Sequence, residues 1–471
     1  MSLVLWLARR PVLPVLAVVV LLALPASGGD GGAGPADAAS ALVVGYCVLR
    51  LLRERRRPLS RTAAVVLGLP VAGTALAAMG AVSPGAGLAG LGRYLQIFVL
   101  LPAAVVLLLR DRRDVRLLLW SLIGLALWEG AVGVKQYVTA TGASYQGEDI
   151  RAVGTFGAQD VMGMATVVSF GLICAVGVAL GGGPASAPES APGSTPSRER
   201  VIAGVCALAL LTPLALSFSR GAWIATTLTL TVQLVLSGPR RALKVGAIAL
   251  AAGVVLVGGL GVGTAMLQER LDSITRVTDA PDQSVTDRYT MWAAATGMWR
   301  EHPLTGVGLK GFPEYRDGHA SLALSSGGDT AGAGAGYRKQ PLLSPHNMYL
   351  LVLGEQGLTG LLCLAGSWLA LLTLGLRGLW TTRTTRTPST PSTPRTPPGR
   401  EYGVIGCGLL IWLLVDFMYA DIGGPSTVLT GVVLGLVAWW ALVGGAERGR
   451  AARVAAGVVP AVPVARGAGV L

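Results

Sequence analysis

The chain has 471 residues, of which 52% are hydrophobic and only 13% are charged, and its mean hydropathy is +0.60. Soluble domains carry roughly 25% charged residues, so this composition excludes an ordinary soluble enzyme and indicates a polytopic helical membrane protein. The net charge of +13 does not indicate nucleic-acid binding, because the basic clusters lie in connections between apolar runs and no basic face is interleaved with aromatic residues.

Apolar runs long enough to cross a bilayer follow one another along the whole chain. Their predicted bounds are 11–25, 38–52, 62–82, 94–109, 117–134, 161–180, 201–218, 221–236, 245–266, 357–376, 402–420 and 426–443. With the N-terminus inside, where Arg9 and Arg10 precede the first run, the four basic loop clusters at 53–61, 110–116, 240–244 and 377–400 all fall on the cytoplasmic side. The fold prediction is therefore all-α, with about 12 transmembrane helices, in the inner or plasma membrane, and with both termini in the cytoplasm.

The predicted domain organisation follows from these spans. It comprises an N-terminal membrane bundle over 1–266 with about nine spans, an extracytoplasmic loop with an interfacial helix over 267–345, C-terminal membrane helices over 346–443 with about three spans, and a cytoplasmic tail over 444–471. The low-complexity segments 181–200 and 381–399 are predicted to be disordered cytoplasmic linkers, and the Gly-rich stretch 326–336 a flexible outer insertion. Residues 1–29 either contain the first transmembrane span or form a cleaved signal peptide, and the sequence leaves both interpretations open.

The same topology places several basic side chains on the outer side, against the positive-inside trend. They lie in or beside the predicted outer loops 83–93, 135–160 and 267–345, or in the turn between the seventh and eighth predicted spans, and are Arg93, Arg151, Arg220, Arg288 and His346. A charge near lipid costs several kcal/mol, so such a cluster requires a reason beyond topology. We interpret it as a site for an anionic substrate presented at the membrane surface.

The two central arginines each have two interpretations. Arg220 lies between two apolar runs, and either snorkels to the outer headgroups or grips a phosphate with its planar fork of donors. Arg288 lies at the start of a predicted helical stretch over 287–300, whose aromatic residues are typical of an interfacial helix. Arg288 is either part of such an interfacial helix or a second phosphate ligand. The local pattern leaves both pairs of alternatives open.

His346 is predicted to lie in the first turn of a helix. Ser344 suits the N-cap, Pro345 suits the first helical position, and Gly357 suits the C-cap. A helix N-terminus disfavours imidazolium, so His346 is a candidate neutral base that takes a proton from a hydroxyl. A bound diphosphate would favour the charged form, and a histidine that hydrogen-bonds the loop is the alternative.

Other chemistries lack their motifs in the sequence. Walker A, GxSxG, HExxH and dinucleotide-binding patterns do not occur, and the five cysteines have no metal-ligand spacing. We therefore expect neither a metal nor a cofactor. Few charges fall at the predicted mid-depth of any span, which argues mildly against an ion-coupled transporter.

The chain resembles the superfamily of O-antigen ligases and O-antigen polymerases, bacterial polytopic membrane glycosyltransferases with a GT-C-like fold. Five pieces carry the resemblance, in order: Arg151–Phe156, Ser219–Trp223, Asp287–Trp292, His302–Gly308, and Pro345–Tyr349 with Glu355–Gly357 behind it. One departure is Gln159–Asp160, where relatives often carry Pro-Asn.

The resemblance implies a metal-independent, inverting glycosyl transfer at the extracytoplasmic face. The donor would be a glycan on a polyprenyl diphosphate, and the acceptor a hydroxyl on a glycan, a lipid or a protein. Arg220 and Arg288 would hold the diphosphate, and His346 would activate the acceptor. We also assign substrate binding to four further residues: Arg151, Arg93, Asn347 and Arg316. The sequence leaves ligase and polymerase unseparated, and the alternative is a transporter or flippase for a lipid-linked glycan or small anion.

Overall fold

The computed structural model describes residues 10–25, 34–54, 59–145, 148–181, 198–238, 283–321, 324, 328–332, 335–340, 342–384 and 399–443. The predicted span 245–266, the predicted cytoplasmic tail and most of the two predicted linkers lie outside these residues. Within them the protein is predominantly helical.

The described helices are, in chain order, α1 (Leu13–Leu21), α2 (Pro35–Glu54), α3 (Arg61–Met79), α4 (Pro84–Leu108, with a π-helical turn at Gln96–Leu100), α5 (Arg112–Val138), a 3₁₀ segment (Gly154–Asp160), α6 (Gly163–Leu180), α7 (Arg198–Leu216), α8 (Arg220–Ser237), α9 (Gln283–Glu301), α10 (Phe312–His319), α11 (Met348–Thr384), α12 (Arg400–Asp416) and α13 (Thr427–Val443). Four short strands form two hairpins: β1 (Ala143–Tyr145) with β2 (Glu148–Arg151), and β3 (Gly328–Gly332) with β4 (Ala335–Gln340).

Seven of the described helices are long and apolar enough to cross a membrane: α2, α3, α4, α5, α6, α7 and the first 34 residues of α11. Each coincides with a predicted span, so a polytopic membrane protein is confirmed. Helix α13 is apolar but shorter, and α1 has only 9 residues. The predicted count of twelve therefore stays a prediction.

Small residues set the helix packing, as expected where lipid supplies no hydrophobic force between helices. A Cβ on Gly171 of α6 would lie 2.2 Å from Cβ of Ala126 on α5, and a Cβ on Gly130 of α5 would lie 2.8 Å from the Pro213 ring on α7. Helix α6 is the most buried span, with 72% of its residues inside the protein. It therefore forms the centre against which α5, α7, α8 and α12 pack.

Three segments predicted as loops contain regular structure. Residues 84–93 belong to α4, because the Ser83 hydroxyl caps that helix by accepting from Ala86 N at 3.2 Å and Pro84 suits its first turn. The outer loop 135–160 contains the first hairpin and the 3₁₀ segment. The second hairpin, paired from Gly328 with Gln340 to Gly332 with Ala335, occupies the stretch predicted as a flexible insertion.

Helix α11 is interrupted at the predicted cap, Gly357, which has φ 64° and ψ −167°. The helix resumes at once, because the 303–308 loop (Pro303–Gly308) docks into the break and supplies backbone partners. The four hydrogen bonds are Leu358 N to Pro303 O at 2.9 Å, Thr359 N to Leu304 O at 3.3 Å, Val307 N to Gly354 O at 2.9 Å, and Gly308 N to Glu355 O at 3.0 Å. Two of the five sequence pieces thus form one structural unit.

Candidate active site

Asn347, rather than Ser344, caps the helix that follows His346. Helix α11 begins at Met348, and the Asn347 side chain accepts from Leu350 N at 3.0 Å while donating to Met418 O at 3.1 Å. The predicted first turn is wrong because a tertiary contact selects the cap: Met348 N itself donates to the Phe417 and Ala420 carbonyls. This clamps the segment onto the loop between α12 and α13.

His346 therefore precedes the helix, with a left-handed φ of 48°. A non-glycine residue in this region is strained by about 1–3 kcal/mol and persists only where its surroundings enforce it. Burial lowers the pKa of His346 below its ordinary value, Asp421 opposes that shift and Arg288 reinforces it. The imidazole is thus favoured in its neutral form, mainly through burial rather than through the helix terminus.

Arg288 faces the same space from α9, which begins earlier than predicted, at Gln283. One turn along, the Trp292 indole donates to Pro345 O at 2.9 Å and ties this helix to the His346 segment. Burial and the nearby Arg220 lower the pKa of Arg288, and Asp421 opposes them. Within the described part of the chain, no group hydrogen-bonds the Arg288 guanidinium or the His346 ring.

Arg220 is the first residue of α8, and the turn before it is tightly built. The Ser217 hydroxyl donates to Leu214 O at 2.7 Å, Phe218 has φ 50°, and Ser219 caps the helix by accepting from Ala222 N at 3.2 Å. Helix N-termini favour anions and disfavour cations by about 0.3–1 kcal/mol. An arginine at this position thus adds to the positive potential instead of neutralising it, which suits an anionic ligand.

Arg151 holds the turn before Arg220 by a hydrogen bond to its backbone. Its Nε donates to Ser217 O at 3.0 Å, and the next residue's amide donates to the Leu216 carbonyl at 3.1 Å. The rest of the Arg151–Phe156 piece is fixed to α5: Glu129 accepts from the Thr155 amide at 2.8 Å and hydroxyl at 2.7 Å. Gly154 has φ 66° and lies against Glu129, so no side chain fits there. The structure gives this piece a role in positioning the Arg220 turn.

The remaining predicted binding residues are engaged within the protein. Arg93 forms an ion pair with Asp37 and donates to Gly424 O at 3.3 Å. Arg316 donates to Leu342 O at 2.5 Å and to Asp317 at 2.8 Å, which holds the segment leading to His346. The structure thus brings together Arg220, Arg288 and His346, and ties the other assigned side chains to the segments around them.

The loop between α12 and α13, residues 417–426, is the part of the site that the sequence pattern did not identify. Besides clamping the start of α11, it accepts from Arg93 at Gly424 O, and its Ser426 amide donates to Asp160 at 2.9 Å. It carries Asp421, which acts electrostatically on both His346 and Arg288, and Tyr419, which acts on Arg288. From sequence, Asp421 is one of the charged residues at predicted span ends near the outer face, which could orient the arginines or line a cavity; no sequence pattern singles out Tyr419.

One comparison bears on this geometry. Residues 205–365 match the family model described as O-antigen ligase. This part of the chain is similar to the O-antigen ligase family. The match includes Arg220, Arg288 and His346 and ends before the 417–426 loop. The match agrees with the resemblance to O-antigen ligases and polymerases that the sequence pieces carry. No curated protein sequence matches the chain.

Proposed function

We propose that this O-antigen ligase-like protein transfers a glycan from a polyprenyl diphosphate to an acceptor hydroxyl at the extracytoplasmic face of the membrane. The observation that carries the proposal is the convergence of Arg220, Arg288 and His346 from three separate segments onto one space. Charge repulsion disfavours two neighbouring arginines, Arg220 and Arg288, without a ligand. A bound diphosphate would turn this repulsion into attraction of both guanidinium groups to the ligand.

The leaving group explains the two arginines. As the bond between the anomeric carbon and the diphosphate oxygen breaks, negative charge develops on the diphosphate, and preorganised cations stabilise it most in that transition state. Two guanidinium groups and the N-terminus of α8 supply this charge, so the proposed reaction needs no metal ion. Polyprenyl diphosphate leaves with the bonding electron pair, and the electron-deficient anomeric carbon of the glycan is transferred to the acceptor oxygen.

The acceptor explains the histidine. The neutral His346 ring takes the proton of the acceptor hydroxyl as its oxygen bonds to the anomeric carbon on the face opposite the diphosphate, which gives inversion. The imidazolium formed in this step is stabilised by Asp421. We assign Asp421 a positioning and charge-balancing role, since the same carboxylate also acts on Arg288.

The testing experiment is reconstitution of the purified protein with a polyprenyl-diphosphate oligosaccharide, with and without added acceptors. Free polyprenyl diphosphate and glycan length are followed together. A longer glycan identifies a polymerase, and glycan on an added glycan, lipid or protein acceptor identifies a ligase. Arg220→Ala, Arg288→Ala and His346→Ala are each expected to lower transfer by about 100-fold or more.

Matched controls are available in the same region. Arg300→Ala removes an exposed cation from the same helix as Arg288, and His302→Ala removes an exposed imidazole. Both are expected to keep near-wild-type transfer. The proposed enzymatic function would be overturned if the donor crosses the bilayer and no polyprenyl diphosphate is released with any acceptor. That result would favour a transporter or flippase.

A further inference from the structure

Tyr419 is held by its loop against the first turn of α8. Its amide donates to Asp416 O at 2.8 Å, and the neighbouring Met418 carbonyl is the acceptor of the Asn347 side chain. A Cβ placed on Gly221 would lie 3.3 Å from Tyr419 Cβ and 3.5 Å from its Cδ2. The side chain therefore packs directly on the residue that follows Arg220, where glycine leaves room for it.

The same side chain lies close enough to the second arginine to act on its charge. The Tyr419 phenol interacts electrostatically with Arg288 on α9, and the residue is only half-buried. Tyr419 thus contacts the Arg220 turn at its ring and acts on Arg288 at its hydroxyl. A phenol oxygen both accepts and donates, so its lone pairs can face Arg288 while its O–H faces an anion held between the two arginines.

We propose that the Tyr419 hydroxyl donates a hydrogen bond to the diphosphate between Arg220 and Arg288. Tyr419 is then a third diphosphate-binding residue, supplied by the 417–426 loop outside the family match. This inference rests on the proposed function. The competing explanation is that the ring only fills the space above Gly221.

Binding of undecaprenyl diphosphate to the full-length protein in lipid nanodiscs separates the two explanations. Tyr419→Phe keeps the ring and its packing on Gly221 and removes only the hydroxyl. We expect it to weaken binding by about 10-fold, as for one hydrogen bond to a charged group. Tyr315→Phe removes an exposed hydroxyl from α10 and is expected to leave binding unchanged. Thermal unfolding of each variant verifies folding.

A second variant keeps the test independent of the first. Gly221→Ala is expected to displace the Tyr419 ring by a few tenths of an ångström and to weaken binding in the wild type, but not in a Tyr419→Phe background, where the hydroxyl is already lost. If wild type binds, Arg220→Ala abolishes binding and Tyr419→Phe binds like wild type, the inference is overturned while the proposed function stands. If wild type and Arg220→Ala bind equally, the proposed function itself fails.

Discussion

Gly357→Ala is expected to be among the most damaging single-methyl substitutions in this protein. The backbone there has φ 64° and ψ −167°, a region that is essentially restricted to glycine and costs other residues about 1–3 kcal/mol. The added Cβ would also lie 2.4 Å from the carbonyl carbon and oxygen of Leu304, and 2.5 Å from Thr305 N. The 303–308 loop escapes this overlap only by undocking from α11.

The size of the expected stability loss follows from what undocking of the 303–308 loop breaks. The loop makes four backbone hydrogen bonds across the break in α11, and each contributes about 0.5–1.5 kcal/mol net. When the backbone strain of alanine at position 357 is added to the lost hydrogen bonds, the variant should lose at least about 3 kcal/mol of stability. Because the first half of α11 follows His346 directly, transfer should fall as well.

The assay is thermal unfolding in detergent together with glycan transfer after reconstitution. Gly366→Ala, in the same helix, is the matched control, because its Cβ would meet only the end of the Leu69 side chain at 3.3 Å. An unfolding temperature of Gly357→Ala equal to that of Gly366→Ala would refute the reasoning that the break is enforced by the docked loop.

Three other predictions concern the site. Asp421 raises the pKa of His346, so Asp421→Asn should lower that pKa and move the acid limb of the pH–rate profile to lower pH; a limb that stays in place or moves up contradicts this role. Arg93→Ala and Asp37→Ala should destabilise the protein similarly, and the double variant no more than either, if their ion pair is structural; additive losses in unfolding measurements would argue against it. Trp292→Phe removes the hydrogen bond that ties α9 to the His346 segment, and should lower the transfer rate while diphosphate affinity stays within about 2-fold; an unchanged rate would show that this tie is dispensable.

Hydropathy predicted the described spanning helices well, for a physical reason. A segment in lipid must satisfy every backbone group within itself, so apolar length alone selects helix. The arginines that the predicted topology places outside were singled out from sequence, because a cation against the positive-inside trend is costly in any fold. Both signals are local in the chain and independent of tertiary contacts.

What sequence reasoning missed depends on contacts between distant segments. The cap of α11 is Asn347 because the 417–426 loop supplies its second partner, and no pattern near Ser344 reveals that. The ion pair of Arg93 with Asp37 was not predicted, because Asp37 lies on another helix; the assignment of Arg93 to substrate binding stays a prediction. Tyr419 lies in a short connection between two spans, where periodicity does not distinguish a site residue from a loop residue.

The position of the 417–426 loop in the chain has a consequence for biogenesis. Ribosomes synthesise this protein from the N-terminus, so Arg220, Arg288 and His346 reach the membrane before the loop that clamps and balances them. The nascent protein would carry its cations and its base without a finished pocket until α12 and α13 are inserted. Insertion of α12 and α13 would then complete the site, and a chain truncated before α12 would lack the contacts that hold Asn347 and Met348.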